Sequence, residues 1–272
     1  PITMFGIITI LIGAGGTGLT GHFQGQEMVR LQPMKMAVAE AICVDTEGAA
    51  FTVAAFGSCP LEGDGEPMRI ITVPGVASFM ASNSFTSMEV GVQGAQQELV
   101  ELLNDNPDFV AKYGDAAEYD FRPPQMPVFW SFRLMIAMIA FPLILAGWAL
   151  WVMRDDKIPT NIWLGRYAIA AIPTPFLGAS FGWIFKEMGR QPFVVYPNLG
   201  ALEGGTPLGS VSQMTEMGVS TSVNPVYILL SMILFTVLYG VLGVIWVWLM
   251  RRYVLEGVHD PIDEEMDSSD PE

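Results

Sequence analysis

Long apolar runs with almost no charge determine what this chain can fold into. Residues 128–153, 164–185 and 226–250 form three such runs, and none of them contains more than one charged residue. A helix needs about 20 apolar residues to cross roughly 30 Å of hydrocarbon. Only 15% of the side chains are charged, against about 25% in soluble domains. The sequence therefore predicts an all-α membrane protein with about four transmembrane helices, the first at residues 2–19.

The apolar run at residues 2–19 is shorter than the others and rich in glycine. The chain begins inside it at Pro1, without an initiating methionine or a basic leader. We expect this helix to be truncated and the chain to be a piece of a longer protein. The regions that we predict are a partial transmembrane helix (1–20), a large extracytoplasmic loop (21–127), a three-helix transmembrane region (128–252) and a disordered tail with eight acidic groups (253–272).

Positive charge close to the membrane spans predicts their orientation, because short cytoplasmic segments are enriched in lysine and arginine. The basic residues that flank the spans are Arg154, Lys157, Arg166, Arg251 and Arg252. We therefore expect the C-terminus to be cytoplasmic, and residues 21–127 and 186–224 to face outward. The net charge of −15 argues against nucleic acid as a partner, since phosphate binding requires clustered cations.

The two cysteines, Cys43 and Cys59, both lie in the predicted outward loop. In an oxidising compartment they could form a disulfide that closes a loop of about 15 residues. Two free, buried thiols are equally compatible with the sequence.

The segment QPMKMAVAE, residues 32–40, has a proline where a helix would begin and good helix formers after it. Its Lys35 and Glu40 are five residues apart, about 140° around a helix, so they do not form a simple ion pair on one face. Residue types alone favour an exposed juxtamembrane helix. The functional alternative is a site where the carboxylate takes a proton from a hydroxyl while the lysine steadies an oxyanion.

Two more candidate positions lie near the outer ends of neighbouring spans. Arg133 is costly inside a membrane and needs a partner, which could be a cofactor carboxylate. Met135 is a possible metal ligand, although filling gaps between helices is the usual role of methionine. Glu187 has Lys186 and Arg190 beside it, and a solvated interfacial carboxylate is its simpler interpretation. Together with residues 32–40, these features converge on one face of the membrane.

Two other patterns predict no chemistry. Gly13, Gly15 and Gly18 match a dinucleotide-binding turn, but no alternating strand and helix units follow, and small residues in a membrane helix more often allow another helix or a flat cofactor to approach closely. His22 and His259 are predicted on opposite sides of the membrane, so we expect neither to ligate a haem.

The order QPMKMAVAE, FWSFRLM and EMGRQPF, each beside a membrane span, resembles subunit I of the cytochrome bd quinol oxidases. The resemblance covers nearly the whole chain but only the C-terminal part of the family, from the sixth of its nine spans onward. It implies that the outward loop oxidises quinol and that Lys35 and Glu40 are the quinol-site residues. Phe193 stands where the family usually has tryptophan.

The resemblance also implies haem-binding roles. Met135 falls on an axial ligand of the low-spin haem b, and Arg133 on the arginine expected near haem propionates. Glu187 falls on the carboxylate ligand attributed to the high-spin haem b, with Trp183 one turn before it near the haem pair. The histidine ligands of the low-spin haem b and of haem d belong to earlier spans of the family, which are absent from this chain.

The resemblance thus implies a quinol:oxygen oxidoreductase with two haems b and a haem d, in a bacterial or archaeal cytoplasmic membrane. It oxidises ubiquinol or menaquinol and reduces oxygen to water. The implied partners are the N-terminal portion of subunit I, subunit II and small accessory subunits, and we expect the isolated chain to be inactive. Two alternatives from other classes are a transporter or channel subunit, with Arg133 and Glu187 lining a polar pathway, and a structural fragment that only anchors a complex.

Overall fold

The computed structural model describes residues 2–154, 161–197, 212–220 and 222–257. The predictions for Lys157, His259 and the part of the acidic tail after residue 257 lie outside the described residues. Within the described residues, four helical segments are long and apolar enough to cross a membrane. The predicted all-α membrane architecture is confirmed.

The chain divides into two compact units, Pro1–Gly218 and Val219–Glu272. The elements of the first unit are, in chain order, α1 (Ile2–Leu31), α2 (Pro33–Glu40), β1 (Thr46–Glu47), β2 (Phe51–Phe56), β3 (Met68–Val73), α3 (Val76–Ser82), β4 (Met88–Glu89), α4 (Val92–Asn104), α5 (Pro107–Tyr113), a 3-10 turn (Ala116–Glu118), α6 (Gln125–Met153), α7 (Ile162–Ala171), α8 (Thr174–Met188), β5 (Phe193–Val195), β6 (Gln213–Met214) and α9 (Thr215–Gly218). The second unit contains α10 (Pro225–Glu256), whose first turn is capped by the Asn224 side chain accepting from the Val226 N–H at 3.0 Å.

Helix α1 is longer than the apolar run from which it was predicted. It continues to Leu31 because the polar residues after the run are compatible with a helix, and Arg30 pairs with Glu27 at 2.8 Å. It stops before Pro33, since a proline disfavours helical geometry in the preceding residue. Gly13 and Gly18 lie inside this continuous helix, so the strand and turn of a dinucleotide site are not formed.

The third predicted span is two helices, α7 and α8, separated by a turn at Ile172 and Pro173. Proline has no N–H to donate and its ring clashes with the preceding turn, which accounts for the break. The Thr174 hydroxyl bonds the Ala171 carbonyl at 2.8 Å across the break. Together α7 and α8 cover Ile162–Met188, a length sufficient to span a membrane.

The interhelical region, residues 32–124, lies between α1 and α6 and has its own apolar core. Met34 and Val38 of α2 pack in this core with Leu99 and Leu103 of α4, and all four are almost inaccessible. The strands form two-stranded antiparallel ladders, β1 with β4 and β2 with β3 in this region and β5 with β6 after α8. The interpretation of residues 32–40 as an exposed juxtamembrane helix is therefore wrong, because the apolar face of α2 is buried in this core.

Cys43 and Cys59 form a disulfide inside the interhelical region. The sequence was compatible with a disulfide or with two free thiols, and the structure contains the disulfide. Cys43 follows α2 closely, and the backbone N–H of Cys59 donates to the Gln125 side chain at 2.6 Å. Gln125 is the first residue of α6. The disulfide and this hydrogen bond together therefore connect the end of α2 to the start of a membrane helix.

Removing the cross-link should destabilise the interhelical region. Because the cysteines are 16 residues apart, replacing both by serine should lower the free energy of unfolding by about 3 kcal/mol. Denaturant unfolding of the detergent-solubilised protein measures this loss. Mass spectrometry of an unreduced digest should recover both cysteines in one linked fragment, and alkylation of both without reductant would contradict the disulfide.

Candidate functional site

Helix α2 carries two buried ionisable residues, Lys35 and Glu40, with 3% and 5% of their surfaces exposed. Their separation of about 140° around the helix axis directs them to different neighbours. Glu40 contacts α6, and Lys35 contacts the C-terminal end of α8. The two residues are therefore not paired with each other, as their spacing predicted.

Arg133 of α6 is the partner of Glu40. Its Nη2 donates to Glu40 Oε2 at 2.8 Å, and only 7% of the arginine is exposed. Its Nε donates to the Thr52 carbonyl at 2.9 Å, and its Nη1 donates to the carbonyl of Ala39. The Ala39 carbonyl is one of the last four of α2, which have no partner within their own helix. Arg133 thus neutralises Glu40, caps α2 and bonds β2.

Aromatic rings enclose the Arg133 guanidinium. Its carbon lies 3.8 Å from the centroid of the Phe129 ring and 4.8 Å from that of Phe51. A cation over an aromatic face is stabilised most when water is excluded. The cost of an arginine near a membrane is therefore met by a protein carboxylate, two carbonyls and aromatic rings.

The environment of Glu40 affects its proton affinity. Burial raises the pKa of the Glu40 carboxyl above its ordinary value, and the Arg133 guanidinium opposes this shift without cancelling it. A buried carboxylate with a raised pKa is suited to accept a proton and pass it on.

Lys35 lies against the C-terminal end of α8. Its Nζ lies 4.7 Å from the centroid of the Phe185 ring. Its methylenes lie over Gly189, where an added Cβ would come within 2.8 Å of Lys35 Cε. Burial lowers the pKa of Lys35 to about 8, with further lowering by Lys186 and Arg190 and an opposing effect of Glu187. The lysine can therefore carry a positive charge near neutral pH, at a buried position.

Glu187 and Trp183 occupy more open positions on α8. Glu187 is half-buried and forms an ion pair with Arg190. Trp183 is 68% exposed. Glu187 lies two residues before Gly189, over which the Lys35 methylenes pack.

A cavity of about 1030 Å³ opens between α1, α2, α3, α6 and α8. Met135 and Glu40 both line it, so the structure brings these two predicted site residues to one space. Four other predicted site residues are not among the described residues that line this cavity: Lys35, Arg133, Trp183 and Glu187. Gly13 and Gly18 of α1 also line the cavity, and a Cβ at either would meet nothing within 4 Å.

The surroundings of Met135 fit a haem in their chemistry. A methionine thioether is an axial ligand of haem iron in cytochromes, and the cavity walls are mostly apolar. Gly178 and Gly182 of α8 allow a close approach to α6, since a Cβ at Gly182 would lie 3.0 Å from Met135 Sδ. Glu187 offers a carboxylate oxygen, which in the structure accepts from Arg190.

Two polar residues of the cavity wall are absent from the site that the sequence predicted. Glu89 of β4 is 6% exposed, and His22 of α1 bonds Asn83 at 2.7 Å. Glu89 is the second residue of β4, a strand of two residues. Such a segment is too short for an alternation of apolar and polar residues to indicate that the carboxylate faces inward.

The family model and the similar known proteins all indicate the same family. The family model described as cytochrome bd terminal oxidase subunit I matches residues 2–258. Cytochrome bd ubiquinol oxidase subunit 1 of Bacillus subtilis (strain 168) is 33% identical over 94% of this chain and 49% of its own length. A second protein of that organism, provisionally named cytochrome bd menaquinol oxidase subunit I, is 25% identical over 99% of this chain and 49% of its own.

Cytochrome bd-II ubiquinol oxidase subunit 1 of Escherichia coli (strain K12) is 34% identical over a shorter stretch, 27% of this chain and 14% of its own length. The chain thus spans about half the length of the two Bacillus subtilis relatives.

Breaking the Arg133 pair should destabilise the protein strongly. In Arg133→Met the buried Glu40 carboxylate loses its cation, and the free energy of unfolding should fall by about 3–5 kcal/mol. Adding Glu40→Gln should recover part of that loss, because glutamine carries no charge to bury. Denaturant unfolding of the detergent-solubilised protein measures both variants.

The matched control for this prediction is Arg30→Met, which removes an exposed ion pair on α1. Exposed pairs contribute at most about 1 kcal/mol. Equal losses in the Arg30 and Arg133 variants would contradict the structural role of the buried pair.

Proposed function

Because the chain belongs to the cytochrome bd terminal oxidase subunit I family, we propose that it forms the quinol-oxidising part of a quinol:oxygen oxidoreductase and one side of its haem-binding core. The observation that carries this proposal is the buried contact between Glu40 and Arg133, two residues from Met135 on α6. It joins a proton-accepting group in the interhelical region to the helix that carries a haem-ligand candidate. Electron and proton transfer from one quinol would then occur within a short distance.

The proposed site uses Lys35 and Glu40 in different roles. Glu40 accepts a proton from a quinol hydroxyl, and burial favours that step because it raises the pKa of the Glu40 carboxyl. Lys35 carries a positive charge that steadies the oxygen from which the proton leaves. The packing of α2 in an apolar core excludes water and strengthens both interactions.

Four side chains would hold the haems. Met135 is the proposed axial ligand of a low-spin haem b, and Glu187 the carboxylate ligand of a high-spin haem b. Arg133 and Trp183 are proposed neighbours of the haems, Arg133 from its position two residues before Met135 on α6. When bound, the haems, including a haem d, supply the one-electron chemistry that takes electrons from quinol to oxygen.

The proposed setting is a bacterial or archaeal cytoplasmic membrane. The distribution of basic residues supports an outward interhelical region and a cytoplasmic C-terminus. We propose as partners the remaining portion of subunit I, subunit II and small accessory subunits, with ubiquinol or menaquinol as the electron donor and oxygen as the acceptor. Protons from quinol leave on the outer side.

A transporter or channel subunit is less well supported. That alternative needs Arg133 and Glu187 to line one polar pathway. Arg133 instead uses its donors on Glu40 and two backbone carbonyls, and Glu187 pairs with Arg190. The space between the helices is mostly apolar, which suits a haem or a quinol better than an ion.

Glu40→Gln in the complete oxidase should lower quinol turnover at least tenfold while the haem spectra stay unchanged, because glutamine cannot accept a proton. In the unaltered enzyme, kcat/KM for quinol should fall as the pH falls through the raised pKa of Glu40, since only the carboxylate form accepts the proton. Oxygen consumption measured against pH tests both statements.

The control for Glu40 is Glu47→Gln, an exposed carboxylate of β1, which should keep the activity and pH profile of the unaltered enzyme. Full quinol turnover in Glu40→Gln would refute the proton-acceptor role.

Met135→Leu should abolish the low-spin haem b absorption, because leucine has no atom that can bind iron. Absorption spectra of the reduced, purified oxidase measure the signal. Met126→Leu is the matched control, since Met126 lies on the same helix outside the cavity lining and should keep the spectrum. An unchanged spectrum in Met135→Leu would refute the ligand role.

A further inference from the structure

Glu89 is a buried carboxylate that the proposed reaction does not yet use. It is 6% exposed and lies in β4, where it is paired with Thr46 of β1. Its Oε1 accepts a hydrogen bond from the Ser87 hydroxyl at 2.6 Å. Among the residues that line the 1030 Å³ cavity, Glu40 and Glu89 are the two carboxylates in the described part of the chain.

Glu89 shares the cavity with Glu40. Both carboxylates line it, and the negative charge of Glu89 contributes to the raised pKa of Glu40. The other ionisable residues of the described cavity lining are His22 and Lys186, and Arg133 faces Glu40 from α6. Glu40 therefore has a cation on one side and the cavity with a second carboxylate on the other.

Hydroxyl groups connect Glu89 to the surface. The Ser82 hydroxyl donates to the Ser87 hydroxyl at 2.6 Å, and Ser87 donates to Glu89. Ser82 is exposed, and Ser87 is half-buried. An unbroken sequence of hydrogen-bonded side chains thus runs from the carboxylate in the cavity to solvent beside α3. Such a chain can conduct a proton by successive transfer between oxygens.

We propose that Glu89, Ser87 and Ser82 form the exit route for the protons that Glu40 takes from quinol. This inference rests on the proposed function of Glu40. Oxidation of one quinol to quinone releases two electrons to the haems and two protons. Glu40 holds one proton at a time, so the first must leave before the second hydroxyl can be deprotonated. Glu89 receives it through water in the cavity. Protonated Glu89 then donates to Ser87, and the hydroxyls of Ser87 and Ser82 turn outward so that Ser82 releases a proton to the solvent.

The proton affinities of the two carboxylates suit this transfer. Burial raises the pKa of Glu89 above its ordinary value, as it does for Glu40, while the hydroxyls of Ser87 and Ser78 oppose the shift. Burial thus raises the proton affinity of both the donating and the accepting carboxyl.

The test compares two electron donors in the complete, purified oxidase. Glu89→Gln should lower quinol-driven oxygen consumption at least tenfold and increase its solvent deuterium isotope effect. Turnover with tetramethylphenylenediamine, a one-electron donor that releases no proton, should remain that of the unaltered enzyme. Ser87→Ala should give an intermediate loss, and Glu89→Asp a partial recovery relative to Glu89→Gln.

The exposed Glu47 on the neighbouring strand β1 provides the control, and Glu47→Gln should change neither rate. Unaltered quinol turnover in Glu89→Gln would overturn the exit route, and so would an equal loss with both donors, which indicates a structural role. Loss of turnover in Glu40→Gln together with normal turnover in Glu89→Gln refutes the exit route alone. Normal turnover in Glu40→Gln refutes the proposed function itself.

Discussion

The buried contact between Arg133 and Glu40 is the interaction on which the arrangement of the interhelical region and the membrane helices depends. An arginine near hydrocarbon must find a counter-charge and acceptors for its donors. The interhelical region provides the Glu40 carboxylate and the carbonyls of Ala39 and Thr52. One side chain of α6 thereby fixes the C-terminal end of α2 and one edge of β2, and it fixes the direction in which Glu40 faces the cavity.

Lys35 extends this arrangement to a second membrane helix. Since it lies five residues before Glu40, it contacts α8 while Glu40 contacts α6. Helix α2 therefore contacts the N-terminal part of α6 and the C-terminal end of α8, and its two ionisable residues are held by different partners. Of these two residues, Glu40 lines the mostly apolar cavity, which places one carboxyl group beside a space suited to a flat, apolar ligand.

The membrane helices were predictable from sequence because 20 apolar residues with one charge have few other folds available. The ends of these helices were harder to predict, since the helix-compatible residues up to Arg30 extend α1 beyond its apolar run. The family resemblance predicts Lys35, Glu40 and Met135 as site residues, but the burial of α2 and the partner of Arg133 depend on tertiary packing. Glu89 could not be predicted because a two-residue strand has no periodicity, and its place in the cavity wall depends on segments that are distant in sequence.

The disulfide limits how far Glu40 and Arg133 can separate when their ion pair opens. Cys43 is three residues after Glu40, a reach of at most about 11 Å, and its partner Cys59 is bonded to the first residue of α6. When Glu40 takes up a proton and its attraction to Arg133 weakens, the carboxyl group therefore stays tethered near the arginine. Its effective local concentration remains high. The cross-link thus favours rapid re-formation of the pair over separation of the interhelical region from the membrane helices.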